Sequence, residues 1–288
     1  MWLIFSFLSA LTQATHQAIS KRFAKDLSPY LLGSGVFFAA SPILLYYALS
    51  GHWPNLNNDF YFSTTITAVL NAIATILFLK AVTNVDLSLA TPILALTPVF
   101  SLFSSYIILG ESPRFLGAAG VLIVTLGLII LSHRHNQKND FAIEAETKKE
   151  KWGLAFLILV SLIYSVSSNY DKVVAQNSPF PFGSAYVSSL IGLIIFCVGF
   201  IKGDCRILQN KKKFFKSFLL GALFIIASLV WFKALLGGLV VYSLAIKRTS
   251  VLIGVIYGYI WFKEKKIGQR FAGALVILIG LIFIIFFK

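Results

Sequence analysis

Two neighbouring basic residues, Lys247 and Arg248, lie about seven residues inside an apolar stretch, 239–262, that is long enough to cross a lipid bilayer. The residues three and four positions away from them along a helix include no acid. Each such cation at the centre of a membrane costs about 2.5 to 3.5 kcal/mol on insertion scales. A pair at that depth therefore indicates a watery cavity or a bound anion. The alternative is that both side chains extend to the membrane interface.

The composition around this pair is that of a membrane protein. The chain is 58% hydrophobic and 12% charged, whereas a soluble domain has about 25% charged residues. The net charge of +14 could indicate nucleic acid, but the basic residues cluster in short loops between apolar segments, as orientation signals do. We expect a small molecule and the lipid bilayer as partners and no nucleic acid; a monomer is compatible with this pattern.

Ten apolar runs have the length of a membrane-crossing helix, about 20 residues. They cover 2–20, 29–50, 60–80, 87–109, 115–132, 152–171, 182–201, 214–236, 239–262 and 267–287. The first run has no basic region before it, so we interpret it as a span and not as a removable signal peptide. The sequence predicts an all-α integral membrane protein with ten transmembrane helices.

The two halves of the chain resemble each other. The polar linker 133–151 separates five spans in 1–132 from five spans in 152–288. At an offset of 153 residues, Glu111 matches Glu264 and Gly120 matches Gly273. Because five is odd, the second half enters the membrane in the opposite sense. Two inverted five-helix repeats are the architecture of many secondary transporters, which bind substrate between the repeats near the midplane.

Several motifs resemble a known family. The segment 109–113 (LGESP), followed by glycines in an apolar run, is similar to the end of an EamA domain, the repeat of the drug/metabolite transporter superfamily. Phe262-Lys263-Glu264 resembles the same place in a second copy, and Thr97-Pro98-Val99-Phe100 resembles the family's proline-bearing fourth helix. The resemblance implies ten helices, no enzymatic activity and transport of a small molecule.

A narrower resemblance concerns the basic pair. Lys247 and Arg248 resemble the Lys-Arg pair with which triose-phosphate and nucleotide-sugar transporters of the same superfamily hold phosphate. Only the dipeptide and its position match, so the resemblance implies an anionic or phosphorylated substrate. Transport of amino acids or other zwitterions stays open, with Arg248 binding a carboxylate, as does a non-transporting component such as a lipid-carrier flippase subunit.

Other polar residues inside the spans are candidates for the wall of a central cavity. Polar residues at matched places in the two repeats are typical of such a wall, although each could instead bond a neighbouring helix. The predicted substrate-binding residues are Lys247, Arg248, Gln13, His16, Gln17, Asn71, Tyr164, Ser168, Tyr186 and Ser250. Thr91 is a weaker candidate.

Carboxylates are scarce in the spans. Asp86 and Asp171 are predicted at helix ends, and Glu111 and Glu264 are interpreted as helix-end or loop-pairing residues. This pattern argues against proton coupling through a buried acid. No metal spacing, phosphate-binding glycine loop or nucleophile motif is present, so we expect neither a cofactor nor catalysis.

The distribution of basic residues predicts an orientation. The loops after the odd-numbered spans hold most of the lysines and arginines, while the opposite side holds Arg114, Lys172, Lys233 and the terminal Lys288. The positive-inside rule then places both termini outside the cytoplasm. The family resemblance implies cytoplasmic termini, so both orientations stay open. In either case we expect a multi-pass protein of the inner (plasma) membrane.

Overall fold

The structure is a computed structural model that describes residues 1–23, 27–84, 93–132, 148–202, 211–250, 252–253 and 268–287. All regular secondary structure in those ranges is helical. The helices are α1 Trp2–Phe23, α2 Pro29–Leu49, α3 Asn58–Asn84, α4 Thr97–Leu109, α5 Phe115–Ser132, α6 Lys148–Gln176, α7 Phe182–Ile201, α8 Lys211–Leu235, α9 Val240–Arg248 and α10 Gly268–Phe286.

Five of these helices, α2, α3, α6, α7 and α8, are long and apolar enough to cross a membrane by length and composition. Three shorter apolar segments lie in α4, α5 and α10. The all-helical membrane class is thereby confirmed, while ten crossings stay a prediction. Helix α6 begins at Lys148, inside the predicted linker 133–151; the part of that linker before Lys148 lies outside the described residues.

Local sequence signals fix several helix ends. The Ser28 side chain accepts a hydrogen bond from the backbone N–H of Leu31 at 3.2 Å, and Pro29 follows at the first helical position of α2. Both are standard helix-start devices. Helix α4 ends at Gly110, whose φ of 67° lies in the left-handed region that glycine tolerates best.

The helices of the first half make the same main contacts as their equivalents in the second half. Helix α1 packs against α8 and α9, and its equivalent α6 packs against α3 and α4. Helix α2 packs against its own equivalent α7, and α5 against its equivalent α10. Exchanging each helix with the one five places along therefore reproduces these pairs.

Equivalent helices run antiparallel. A methyl group added to Gly120 of α5 would lie 2.8 Å from the carbonyl oxygen of Gly280 in α10, and one added to Gly127 would lie 3.0 Å from that of Gly273. The later glycine of α5 thus meets the earlier glycine of α10. Antiparallel equivalents are what inverted repeats require.

Helices α2 and α8 also cross at nearly touching backbones. A Cβ on Gly221 would lie 2.2 Å from the carbonyl oxygen of Gly35, and a Cβ on Gly35 would lie 2.0 Å from that of Ser217. Small residues at such crossings are how membrane helices approach closely. This contact ties the first repeat to the second.

A partly buried polar cluster also connects the two repeats, beyond the end of α4. The Glu111 carboxylate accepts hydrogen bonds from Lys172 of α6 and, at 3.0 Å, from the backbone N–H of Val240. Lys172 also donates to the carbonyl oxygen of Gly238 at 2.8 Å. Glu111 therefore pairs a loop with other elements, as predicted, and holds the start of α9.

Large apolar side chains cover the outside of the bundle. Phe103, Ile107, Phe200 and Ile201 are 70%, 80%, 70% and 84% exposed. In water such a surface would be unfavourable, but in lipid it is the expected exterior. Several polar side chains of the bundle are buried instead, among them Thr67, Ser101 and Ser161.

Candidate functional site

A central cavity lies between the two halves and is lined by residues from α1, α2, α3, α6, α7, α8 and α9. Its volume is about 1250 Å³, counting space open to solvent. Eight of the ten predicted substrate-binding residues line it: Gln13, His16, Gln17, Asn71, Tyr164, Ser168, Lys247 and Arg248. The structure thus collects into one cavity residues that are up to 235 positions apart in the chain, from Gln13 to Arg248.

The basic pair lies at the end of a short helix and not within a continuous span. Helix α9 has nine residues and ends at Arg248, with Thr249 as its C-terminal cap. The sequence indicates one helix over 239–262; in the described part of that range, Thr249 forms a turn and Ser250, Leu252 and Ile253 are helical again. Thr249 donates its backbone N–H and its hydroxyl to the Ile246 carbonyl oxygen, at 3.0 and 2.7 Å, and so caps this end.

Arg248 is buried on the cavity wall and is held by neutral groups. It is 7% exposed, and its Nη2 donates a hydrogen bond to the Thr97 hydroxyl at 2.7 Å. Its guanidinium lies 5.7 Å from the centre of the Tyr164 ring. Within the described residues its Nε has no hydrogen-bond partner. A buried donor in this condition is costly unless a ligand or water satisfies it.

Lys247 lies against an indole. Its Nζ is 4.0 Å from the centre of the Trp231 ring, a cation–π contact of favourable length. The ammonium is thus directed to the cavity and to α8, and not to a membrane interface. This geometry disagrees with the alternative in which both basic side chains extend to the membrane interface.

The sequence predicts Asp171 at a helix end, but the structure places it inside α6, five residues before Gln176. It is 7% exposed and lines the cavity. Its Oδ1 accepts from the Thr67 hydroxyl at 2.6 Å, and its Oδ2 accepts from Trp231 Nε1 at 3.1 Å. Trp231 therefore joins the acid to Lys247 through one side chain.

Of the three missed residues, Asp171, Trp231 and Thr67, only Asp171 had a signal in the sequence. Asp171 is seven residues after Tyr164 and three after Ser168, so all three share one helical face. Trp231 and Thr67 had no such signal, because an aromatic or a threonine in a span has many ordinary roles. Their place is decided by which helices meet.

The first span contributes amide and imidazole groups. Gln13, His16 and Gln17 of α1 line the cavity, and the His16 ring packs edge-on against Phe224 with centroids 5.6 Å apart. On α3, Asn71 Nδ2 donates to the Thr67 hydroxyl at 3.0 Å. Uncharged hydrogen-bonding groups thus surround the charged ones.

Equivalent positions of the two repeats line the same cavity. Ser20 corresponds to Asp171 at an offset of 151, and Leu94 corresponds to Lys247 at an offset of 153; all four line the wall. The next position pairs Ala95 with Arg248. Both repeats therefore contribute equivalent positions to the cavity wall. Among the described residues, the charged side chains of the wall come from the second repeat.

Two predicted site residues lie elsewhere. Tyr186 packs between the rings of Phe60 and Phe182, at centroid distances of 5.4 and 5.7 Å. Ser250 is buried beyond the end of α9 and does not line the cavity. Neither residue belongs to the candidate substrate site. Thr91, Asp86 and Glu264 lie outside the described residues.

Metal ligands do not converge in the described part of the chain. No group of three or more His, Cys, Asp or Glu residues there could hold a metal ion. What the wall offers is charge, hydrogen bonds and aromatic surface. That arrangement can bind a polar solute.

Comparison with known proteins agrees with this fold. The sequence profile of the EamA-like transporter family matches residues 1–133 and again 151–286. A solved crystal structure is similar over 100% of this chain and 99% of its own, with a TM-score of 0.78 and 15% identity, which shows the fold alone. No curated protein matches the sequence significantly. The chain belongs to the EamA-like transporter family, as two repeats of the drug/metabolite type.

Proposed function

We propose that this membrane transporter moves a small anionic metabolite by alternating access, and that the central cavity is its substrate site. The observation that carries the proposal is Arg248, buried on the cavity wall with an Nε that no described residue satisfies. Lys247 lies beside it. A guanidinium binds a carboxylate or a phosphate group equally well.

The same proposal includes ten crossings, two inverted repeats in 1–132 and 152–288, and a place in the inner (plasma) membrane. The antiparallel contacts between equivalent helices support the inverted arrangement. The end of α9 on the cavity wall supports it too, because interrupted helices at a repeat interface form the substrate sites of many secondary transporters. Rocking of one repeat against the other would open the cavity to each side in turn.

One observation favours the alternative of a zwitterionic substrate. Asp171 lines the same cavity and could receive an ammonium group while Arg248 binds a carboxylate. Both Asp171 oxygens, however, already accept hydrogen bonds within the protein. The anionic substrate is therefore the first choice.

Substitution of Lys247 tests the proposal. We expect Lys247→Ala to reduce uptake of an anionic substrate into proteoliposomes at least tenfold, because the Asp171 carboxylate on the same wall then cancels the charge of Arg248 and repels the substrate. The melting temperature of the purified protein should change little. Lys211→Ala, at an exposed position of α8, is the matched control and should transport normally.

Ligands for this test come from thermal-shift measurements on the purified protein, since a ligand that binds only the folded state raises its stability. Phenylacetate and phenyl phosphate represent anions, and L-phenylalanine represents zwitterions with the same ring. Normal uptake by Lys247→Ala would contradict the proposal. Greater stabilisation by L-phenylalanine than by either anion would favour the zwitterionic alternative.

A further inference from the structure

Asp171 lies on the cavity wall, although an anion site needs no acid. Among the described residues, the lysines, arginines and acids that line the cavity are Lys247, Arg248 and Asp171. With His16 as the neutral imidazole, the wall carries a net charge of one positive unit. Such a wall complements one negative charge, not two.

The negative charge of Asp171 compensates the positive charge of Lys247 and not that of Arg248. Asp171 and Lys247 both contact Trp231, the acid at its N–H edge and the ammonium over its ring face. The acid is thereby held on the lysine's side of the cavity. Opposite charges that share a partner away from bulk water attract strongly.

Among the residues that the structure describes, no acid compensates Arg248 in this way. The contacts of its guanidinium are the Thr97 hydroxyl and the Tyr164 ring, both uncharged. Its Nε is free of hydrogen bonds within the described residues. Arg248 is thus the cation left to meet a ligand's charge.

The remaining wall is apolar. Leu32 and Val36 of α2 and Ile191 and Ile195 of α7 line the cavity. These helices supply no charged residue to the cavity within the described ranges. A solute that fills the space needs hydrocarbon or aromatic surface to cover this side.

We propose, building on the function proposed above, that the substrate is a singly charged organic anion with an apolar body, and that Asp171 is the residue that sets the single charge. A second negative charge on the ligand would lie near the Asp171 carboxylate without a free cation to balance it. Rejection through an uncompensated repulsion is a common source of specificity.

Three probes separate charge from apolar surface. Phenylacetate has one negative charge and a ring, phenyl phosphate has two charges and the same ring, and acetate has one charge and no ring. We expect the purified wild-type protein to bind phenylacetate at least tenfold more tightly than phenyl phosphate, and acetate to give no measurable thermal shift.

Substitution of Asp171 tests its role. Asp171→Asn should lower the preference for phenylacetate over phenyl phosphate at least tenfold. Asparagine can still accept from Trp231 and can donate to Thr67, so the hydrogen bonds persist. Asp171→Glu keeps the charge and should keep the wild-type preference, and Asp59→Asn, at an exposed position of α3, should change nothing.

A second variant covers the case in which Asp171→Asn does not fold. Ser20, the repeat equivalent of Asp171, lines the cavity and is 2% exposed. Ser20→Asp adds a second acid there and should weaken phenyl phosphate binding at least tenfold more than phenylacetate binding.

The outcomes distinguish the two proposals. An unchanged preference in folded Asp171→Asn, or in Ser20→Asp, overturns the role of Asp171 and leaves anion transport standing. A wild-type protein that prefers phenyl phosphate, or that binds acetate as tightly as phenylacetate, overturns the proposed substrate class alone. A wild-type protein that binds none of the three overturns the anionic function as well.

Discussion

The orientation of the Arg248 guanidinium depends on one hydroxyl from the other repeat. Thr97 is fully buried at the start of α4, and its oxygen accepts from Arg248 while its proton goes to the Leu94 carbonyl at 2.7 Å. A hydrogen bond to a charged group contributes about 1.5 to 3 kcal/mol. The pair therefore fixes the cation on the wall before a ligand arrives.

Replacing this hydroxyl should weaken ligand binding. We expect Thr97→Val to raise the Kd for phenylacetate about tenfold, because a charged hydrogen bond is lost while side-chain volume is kept. Titration by thermal shift measures the effect. Thr65→Val is the control, since the Thr65 hydroxyl bonds only within its own helix at an exposed position; equal Kd values for both variants would rule out the orienting role.

At the scale of the helices, the ends and crossings of the helices determine where the side chains of the cavity wall lie. Helix α9 ends at Arg248, so the basic pair lies in its last turn. Glu111 holds the other end of α9 by accepting from the Val240 N–H. The element that carries the cations is thus fixed at its first and last turns.

The α2–α8 crossing should be sensitive to a single methyl group. Gly221→Ala would place a Cβ within 2.2 Å of the Gly35 carbonyl oxygen, and the helices must separate to admit it. We expect a loss of about 1 to 3 kcal/mol of stability, the usual cost of overpacking, seen as a lower melting temperature. The exposed Leu219→Ala on the same helix is the control. A Gly221→Ala protein as stable as wild type would contradict this close contact.

At the scale of the molecule, both repeats form the wall of the cavity, but the charged residues that the structure describes on this wall come from the second repeat. Equivalent positions face one cavity, yet the second repeat supplies Asp171, Lys247 and Arg248 where the first has Ser20, Leu94 and Ala95. Among the described residues, the charged side chains of this wall all belong to the second repeat. If the proposed alternating access applies, we expect the substrate to remain bound to the second repeat while the first moves.

The orientation of the whole chain can be measured by labelling. We expect a cysteine at Asn55, in the α2–α3 loop, to react with a membrane-impermeant maleimide on intact cells, in a background with Cys197 and Cys205 replaced by serine. A cysteine at Lys202 should react only after the cells are opened, because the basic loops stay inside. The reverse pattern would support cytoplasmic termini.

The sequence by itself indicated the membrane class, most of the helical segments and the two-fold repeat, because these depend on local hydrophobicity and on matched spacing along the chain. It also indicated the basic pair, since a charge in an apolar run is costly wherever the run goes. Only the tertiary structure decided that Asp171, Trp231 and Thr67 join that pair, that Tyr186 and Ser250 do not, and that α9 ends at Arg248. Those facts depend on which helices pack against each other, and the sequence of one helix does not show which helix is its neighbour.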